Sequence, residues 1–271
     1  MPSYVITGAS RGIGWALLEN ASRSQENKVV GLVRDKATVD KRVADELKDR
    51  SNITIIQADL VDYAALERAA KQTAELTGGS LDYLIANGAM MGFTDVYDVE
   101  NYVKYNGVEG AVKYLRDSLE TNVVGNFNLY SLFTPLILKG EKKKVLSVSS
   151  GHADLSLVTE YGLDASVAYA ASKAAHNMIT GKFHARYAKD GVLFISVCPG
   201  TVDTLDYSGL NEGQQAAMGN MQAIFKKYQP EWSGPKSASD SAAQLLKILD
   251  ESTIEAKGGK YFSHTGTDKW L

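Results

Sequence analysis

Six short apolar runs recur along the chain, and each is nearly continuous instead of alternating between apolar and polar residues. They are Tyr4–Thr7, Lys28–Val33, Ile53–Gln57, Leu81–Ala86, Lys144–Val148 and Val192–Val197. Unbroken apolar runs are typical of strands buried on both faces, as in a parallel sheet. The segments between them predict helices at Ile13–Ser24, Thr38–Lys48, Ala64–Leu76, Leu115–Leu138 and Val167–Ala188. This alternation predicts an α/β fold, with a doubly wound parallel sheet of about seven strands and helices on both faces.

The chain is expected to form a single domain over residues 1–271, because no linker, repeat or low-complexity tract divides it. Two stretches, residues 90–114 and 201–235, are longer than the connections that this plan needs and are rich in aromatic side chains. Long connections are usually functional or disordered, and both follow the carboxyl ends of strands, where open α/β sheets bind ligands. They are therefore expected either to line an apolar pocket or to pack as extra surface helices.

Composition excludes several classes of protein. With 44% hydrophobic residues and a net charge of −3 over 271 residues, the chain is too apolar for disorder and offers no electrostatic attraction to nucleic acid. Its one cysteine, Cys198, excludes an intrachain disulfide and is expected to be a small buried residue. No signal peptide and no run of about 18 apolar residues is present, so a cytoplasmic protein with no membrane partner is expected. The four histidines lack metal-ligand spacing, and no metal is expected.

The first predicted strand leads directly into a glycine-rich segment, Thr7-Gly8-Ala9-Ser10-Arg11-Gly12-Ile13-Gly14. Glycines allow a pyrophosphate to approach the backbone, and the helix that follows aims N–H groups and its positive dipole end at the same place. The string alone is weak evidence, but its position between a strand and a helix indicates dinucleotide binding. The expected contacts are Gly8, Ser10, Arg11, Gly12, Ile13 and Gly14.

The second predicted strand should end beside the adenosine ribose, about 20 residues beyond the glycines. Val33 stands where an acidic residue would select NAD, and Arg34 follows it. Arg34 and Arg11 can together clamp a 2′-phosphate, which favours NADPH/NADP⁺ over NADH. Asp35 is the complication, because it would bind the ribose if the strand ended one residue later.

Tyr169 and Lys173 form a Tyr-x-x-x-Lys pair on one face of a predicted helix. A neighbouring ammonium is expected to lower the tyrosine pKa from about 10, so that the phenol exchanges a proton with a carbonyl oxygen. About one such pair is expected by chance in a chain this rich in tyrosine and lysine. A serine-ended strand, closing in Ser149 and Ser150, adds a hydroxyl that can orient a carbonyl. Asn122, a polar residue in an apolar predicted helix, is either functional or a structural hydrogen-bonding residue.

Together these residues resemble the short-chain dehydrogenase/reductase family over essentially the whole chain. Further landmarks follow in family order: Asp59-Leu60, Asn87-Gly88-Ala89 and Pro199-Gly200-Thr201-Val202-Asp203-Thr204. The resemblance implies a single Rossmann domain. It also implies that Tyr169 is the acid/base, that Lys173 lowers its pKa and holds the nicotinamide ribose, that Ser150 orients the carbonyl and that Asn122 supports a water-linked proton relay.

The same resemblance implies the remaining cofactor contacts. Asp59 would meet the adenine, with Leu60 beside it as a further cofactor contact. Asn87 and Gly88 would stabilise the central sheet near the cofactor, and the Pro-Gly segment would meet the nicotinamide carboxamide through Pro199, Gly200, Val202 and Thr204. Ser150 is preferred to Ser149 because the serine of the family is the last of the pair. Ser150 and Tyr169 lie 19 residues apart, more than is usual, which implies an extra loop over residues 151–168 on the substrate side. His152 lies in this loop, where a packing or surface role is favoured over contact with substrate.

A narrower resemblance, to norsolorinic acid ketoreductases and related polyketide-pathway reductases, rests on three strings. They are Ile85–Met90, Lys182-Phe183-His184 and the tail from Asp250 through His264 to Trp270. It implies an NADPH-dependent reductase of a small-molecule ketone, with a bulky aromatic substrate. Family members commonly form homodimers or homotetramers through the two long helices. The alternatives are an alcohol dehydrogenase working oxidatively with NAD(P)⁺ and a non-catalytic NADP(H)-binding sensor.

Overall fold

Seven parallel strands form one sheet in the computed structural model, which describes all residues from 1 to 271. The strands are β1 Ser3–Thr7, β2 Lys28–Val33, β3 Ile53–Gln57, β4 Tyr83–Ala86, β5 Lys144–Val148, β6 Leu193–Cys198 and β7 Tyr261–Ser263. Their order is β3-β2-β1-β4-β5-β6-β7, so the direction of winding reverses between β1 and β4. Such a switch point opens a crevice at the carboxyl ends of the strands, where ligands bind in this class of sheet. The predicted α/β class and the seven-stranded parallel sheet are confirmed.

Ten helices surround or extend this sheet. They are α1 Gly12–Ala21, α2 Lys36–Glu46, α3 Tyr63–Thr77, α4 Val99–Leu119, α5 Gly125–Ile137, α6 Leu155–Tyr161, α7 Val167–Tyr187, α8 Glu212–Tyr228, α9 Ala238–Glu251 and α10 Ile254–Lys257. No helix of the fold combines the length and the apolar character needed to cross a bilayer.

Each face of the sheet has its own hydrophobic core. Ile6 of β1 belongs to the core that α1 and α9 cover, whereas Val5 belongs to the core that α3, α5 and α7 cover. Successive strand residues point to opposite faces, so both must be apolar when helices cover both sides. This burial is the physical reason for the unbroken apolar runs in the sequence.

The predicted helix start at Leu115 is wrong, because α4 begins at Val99. Asp98 caps this helix by accepting the Asn101 N–H at 2.9 Å. A break at Gly107, with φ of +66°, interrupts α4, and a π-helical turn over residues 120–124 joins it to α5. Most of the 90–114 stretch is therefore helix. The other two long stretches contain α6 and α8.

The three long stretches pack together above the carboxyl edge of the sheet. Together with the tail of the chain they form a third apolar cluster, which includes Tyr97, Leu157, Phe225, Trp232 and Trp270. The two interpretations of these stretches are thus compatible, since extra helices pack there and their inner faces also enclose a cavity.

Candidate active site

The glycine-rich loop joins the end of β1 to the start of α1 in close contact with the end of β4. Gly8 has φ of +67°, and a side chain there would place its Cβ 2.8 Å from the Gly88 Cα. A Cβ on Gly14 would lie 2.1 Å from the Gly8 carbonyl oxygen. The Thr7 hydroxyl accepts the N–H groups of Asn87 at 3.1 Å and Gly88 at 2.8 Å. Small residues are therefore required where the two strand ends and the helix meet.

A polar cleft of about 450 Å³ opens at this junction. It is lined by most of the predicted cofactor contacts: Gly8, Ser10, Arg11, Gly12, Ile13, Gly14, Arg34, Asp59, Leu60, Asn87, Gly88, Tyr169, Lys173, Pro199 and Thr204. Gly200 and Val202, also predicted to contact the cofactor, line a neighbouring cavity instead. Apolar residues that no motif marks, including Leu32, Ala58, Val148 and Leu205, complete the wall.

The donor groups around the cleft suit a phosphate-bearing dinucleotide. Helix α1 has no side-chain cap at its N-terminus, so its first N–H groups are left for an anion. Arg11 and Arg34 are both exposed, and neither takes part in an ion pair. The backbone approach at Gly8, the free amides and the two guanidiniums fit the pyrophosphate and a further phosphate.

Asp35 is engaged elsewhere. Its carboxylate caps α2 by accepting the Thr38 N–H at 3.1 Å and the Thr38 hydroxyl at 2.6 Å, and these bonds lower the pKa of Asp35. Strand β2 ends at Val33, so Asp35 is not the last residue of the strand, the position from which it was expected to bind the ribose.

Lys173 is buried on α7, one turn beyond Tyr169. Its ammonium donates to the Val148 carbonyl at 2.7 Å and lies 5.7 Å from the centre of the Tyr169 ring. Burial lowers the pKa of Lys173 to about 8. Burial also raises the pKa of Tyr169 above its ordinary value, although a hydrogen bond with the Ser150 side chain opposes this rise. The lowering of the Tyr169 pKa predicted from the ammonium is not found in this structure, where desolvation of the phenolate is the largest effect and Lys173 makes no resolved contribution.

The two candidate serines point to different partners. The Ser149 hydroxyl is buried and donates to the Asn177 side chain at 2.6 Å. The Ser150 hydroxyl instead lies within hydrogen-bonding reach of Tyr169 and accepts the His152 N–H at 3.3 Å. Of the two hydroxyls, only that of Ser150 is placed beside the phenol.

A second, mainly apolar cavity of about 230 Å³ meets the polar cleft at Tyr169, which lines both. Its walls come from the three long stretches and from the tail of the chain. The aromatic and sulfur-containing side chains among them are Met91, Phe93, Tyr207, Met218, Met221, Phe225, Trp232 and Trp270. The phenol of Tyr169 therefore stands at the border between a phosphate-binding cleft and an apolar cavity.

Comparison with known proteins decides the family. Residues 3–215 match the family model described as short chain dehydrogenase. The chain belongs to the short-chain dehydrogenase/reductase family. It is 46% identical to the short chain dehydrogenase virK of Hypocrea virens and 40% identical to the short-chain dehydrogenase/reductase iacC of Pestalotiopsis fici, in each case over the full length of both proteins. As a member of this family, the protein is an oxidoreductase.

Solved structures share the fold of this short-chain dehydrogenase/reductase. The NADPH-bound carbonyl reductase from chicken fatty liver superposes with a TM-score of 0.77 at 20% identity, over 98% of each chain. The carbonyl reductase Sniffer of D. melanogaster gives the same TM-score at 22% identity, again over 98% of each chain.

Asn122 lies buried in the π-helical turn of this oxidoreductase, and its side chain links two segments. Its Oδ1 accepts the Met90 N–H at 2.6 Å, and its Nδ2 donates to the Met90 carbonyl and to the Ser172 hydroxyl, both at 2.9 Å. Both amide hydrogens are thus used in holding the start of the 90–114 stretch against α7. This geometry favours the structural interpretation for the side chain, and the proton-relay role stays a prediction.

Asp95 is a residue of the site that no sequence signal revealed. Its buried carboxylate accepts the N–H groups of Ala168 at 3.1 Å and Tyr169 at 2.7 Å. Ser166, directly before α7, has φ of +64° and provides no side-chain cap. Asp95 therefore caps α7, the helix that carries Tyr169 and Lys173, from a distant segment, and the negative charge lies at the positive end of the helix dipole.

Proposed function

We propose that the protein is an NADPH-dependent carbonyl reductase that acts on a ketone of a bulky aromatic small molecule. One observation carries the proposal, namely the position of Tyr169 between the polar cleft and the apolar cavity. A cofactor in the cleft and an aromatic ketone in the cavity would meet beside this phenol. The full Ser150, Tyr169 and Lys173 set argues against a non-catalytic sensor.

The role of each residue in the proposed reduction follows from its position. NADPH, when bound, supplies the hydride for the carbonyl carbon. Ser150 donates a hydrogen bond to the carbonyl oxygen, and Tyr169 delivers a proton to it as negative charge develops. The ammonium of Lys173, oriented by the Val148 carbonyl, stabilises the phenolate that Tyr169 leaves behind.

Replacement of Tyr169 by Phe tests the chemistry. We expect Tyr169→Phe to lose nearly all turnover and still bind NADPH, because only the proton donor is removed. Oxidation of NADPH is followed over a panel of diketones, quinones and aromatic ketones, with cofactor binding measured by fluorescence. Turnover by Tyr169→Phe at the wild-type rate would show that the mechanism is wrong. Binding of NADPH by the wild type without turnover of any ketone would favour the sensor.

The preference for NADPH is supported by the two unpaired guanidiniums and by the engagement of Asp35 with Thr38. Arg34→Ala should weaken NADPH binding by roughly 10-fold or more, the value of a charge-assisted bond, and change NADH binding far less. Arg186→Ala is the matched control, because that guanidinium pairs with Asp190 at 2.8 Å near the far end of α7. An equal loss for both cofactors in Arg34→Ala would refute the phosphate assignment.

We also propose that the protein assembles as a homodimer or homotetramer through its long helices. Apolar side chains are exposed on α4, α5 and α7, with 67% exposure for Val108, 49% for Phe127 and 64% for Met178. A second copy of the chain would remove these surfaces from water. Light scattering should show an oligomer that Phe127→Asp dissociates, whereas a wild-type monomer at all concentrations would contradict the proposal.

A further inference from the structure

His152 places a polar ring inside the apolar cavity. The ring lies between the acid/base residue and the opposite wall, with its centre 6.2 Å from that of Tyr169 and 6.1 Å from that of Phe225. It meets both rings edge-on, at interplanar angles of 70° and 89°. The imidazole is therefore held within one aromatic ring's width of the phenol, where sequence alone favoured a packing or surface role.

The imidazole has no hydrogen-bond partner within the protein. The one hydrogen bond of His152 comes from its backbone N–H, and its Nδ1 is buried without a partner. Buried polar atoms are nearly always paired, yet neither ring nitrogen of His152 has a partner, and Nε2, which is not fully buried, is the one that a ligand or a water in the cavity can reach. Burial lowers the pKa of His152 to about 4, which leaves a neutral ring with one donor and one acceptor nitrogen.

The residues that line the rest of the cavity favour an uncharged ligand. No Asp, Glu, Lys or Arg side chain lines it. A carboxylate or ammonium on the substrate would lose its water without gaining a counter-charge, which is costly in an apolar site. A hydroxyl is uncharged and can both donate and accept, so it matches Nε2 in either tautomer of the neutral imidazole.

We propose that His152 recognises a hydroxyl group on the aromatic ring that carries the reducible ketone. The inference rests on the proposed reductase function and narrows its substrate class to uncharged hydroxyaryl ketones. Ser150 and Tyr169 hold the carbonyl oxygen at one side of the cavity mouth. His152 then forms a hydrogen bond with a second oxygen, the hydroxyl, on the same ring system. The aromatic side chains of the cavity wall contact the faces of that ring system.

The test compares 1-tetralone with its isomers that carry one hydroxyl on the aromatic ring. For the wild type, kcat/KM for at least one isomer should exceed that for 1-tetralone by about 10-fold, because one buried polar group is satisfied. His152→Phe should bring this ratio close to one, and His152→Gln should restore part of it. Tyr63→Leu, which replaces an exposed aromatic ring on α3 that lines neither cavity, is the control and should leave the ratio unchanged.

Three outcomes separate the inference from the function on which it rests. A wild-type ratio near one for every isomer, or an unchanged ratio in His152→Phe, overturns the role of His152 and leaves the reductase function intact. Failure to reduce any of these ketones counts against the proposed function. In that case ligand binding tests the role of His152 without turnover. The ¹⁵N resonances of its ring should shift when the best-bound hydroxytetralone is added, and much less when 1-tetralone is added. Equal shifts overturn the inference.

Discussion

Lys173 must carry a charge to stabilise a phenolate, yet it is buried. Its ammonium has one protein acceptor, the Val148 carbonyl, and burial lowers its pKa from 10.5 to about 8. The folded-state pKa is thus below the unfolded one, so the unfolded chain binds the extra proton between about pH 8 and 10.5. The contribution of Lys173 to stability rises with pH across this window, and burial of the charged form is a cost at neutral pH. The site therefore holds this charge at the expense of stability.

We expect kcat for ketone reduction to fall as the pH rises through about 8, because Lys173 loses its charge there. Tyr169, whose pKa is raised by burial, keeps its proton over this range and does not cause the fall. Steady-state rates at saturating NADPH and ketone between pH 6.5 and 10 measure the profile. Lys173→Arg keeps its charge at high pH and should flatten this limb, although its larger head lowers the rate overall. A flat wild-type profile would contradict the assignment.

Helix α7 carries both Tyr169 and Lys173, so its starting point decides where they lie. Asp95 fixes this start through the Ala168 and Tyr169 N–H groups, and its own pKa is raised by burial although these bonds oppose the rise. Asp95→Ala should lower the free energy of unfolding by about 2 kcal/mol, the upper range for loss of a cap. It should also reduce kcat, because the first turn of α7, which carries Tyr169, loses its anchor.

Urea denaturation and steady-state kinetics check the prediction for Asp95. The control is Asp98→Ala, which removes the partly buried cap of α4 at Asn101. This control should lower stability by about 1 kcal/mol and leave kcat close to the wild-type value. A variant Asp95→Ala with unaltered kcat would show that the cap does not position Tyr169.

The success of prediction differed among elements for physical reasons. Strands β1 to β6 were located because burial on both faces demands continuous apolar sequence, whereas β7 has only three residues and was not located. The start of α4 was misplaced because Gly107 and Gly110 interrupt the helical pattern and its outer side exposes valines. The glycine loop and the Tyr169–Lys173 pair are local strings whose chemistry dictates their spacing. Asp95 acts across 73 residues, and no local pattern encodes that contact.

At the scale of the whole molecule, the tail of the chain contacts the loop that begins at Ser150. The Trp270 indole N–H donates to the Asp154 carboxylate at 2.5 Å, and its ring stacks on Tyr261 at 4.5 Å. The Tyr261 hydroxyl in turn donates to the Ser150 carbonyl. A Cβ added to Gly151 would lie 2.8 Å from the Trp270 Cβ, so this glycine allows the tail to approach. The cavity is thus closed by residues more than 100 positions away from Ser150.

All four histidines occupy sites that disfavour their charged form. Burial lowers the pKa of His152 and of His264 to about 4, that of His176 well below its usual value, and that of His184 below 6.5. His176 is the most enclosed, with Nε2 2.9 Å from the Tyr130 hydroxyl and Lys173 nearby. The folded protein therefore keeps these rings neutral where an unfolded chain would protonate them.

Acid should consequently destabilise the fold well above the pKa of ordinary carboxylates. Because the folded-state pKa values lie below the unfolded value of about 6.5, the unfolded chain binds more protons between about pH 4 and 6.5. The free energy of unfolding should fall with decreasing pH, by up to about 1.4 kcal/mol per pH unit for each histidine that stays neutral. Urea denaturation at pH 5.5, 6.0, 6.5 and 7.0 measures this slope, and His264→Gln should reduce it by removing one titrating ring. Equal stability of the wild type at pH 5.5 and 7.0 would mean that the histidines protonate without unfolding the protein.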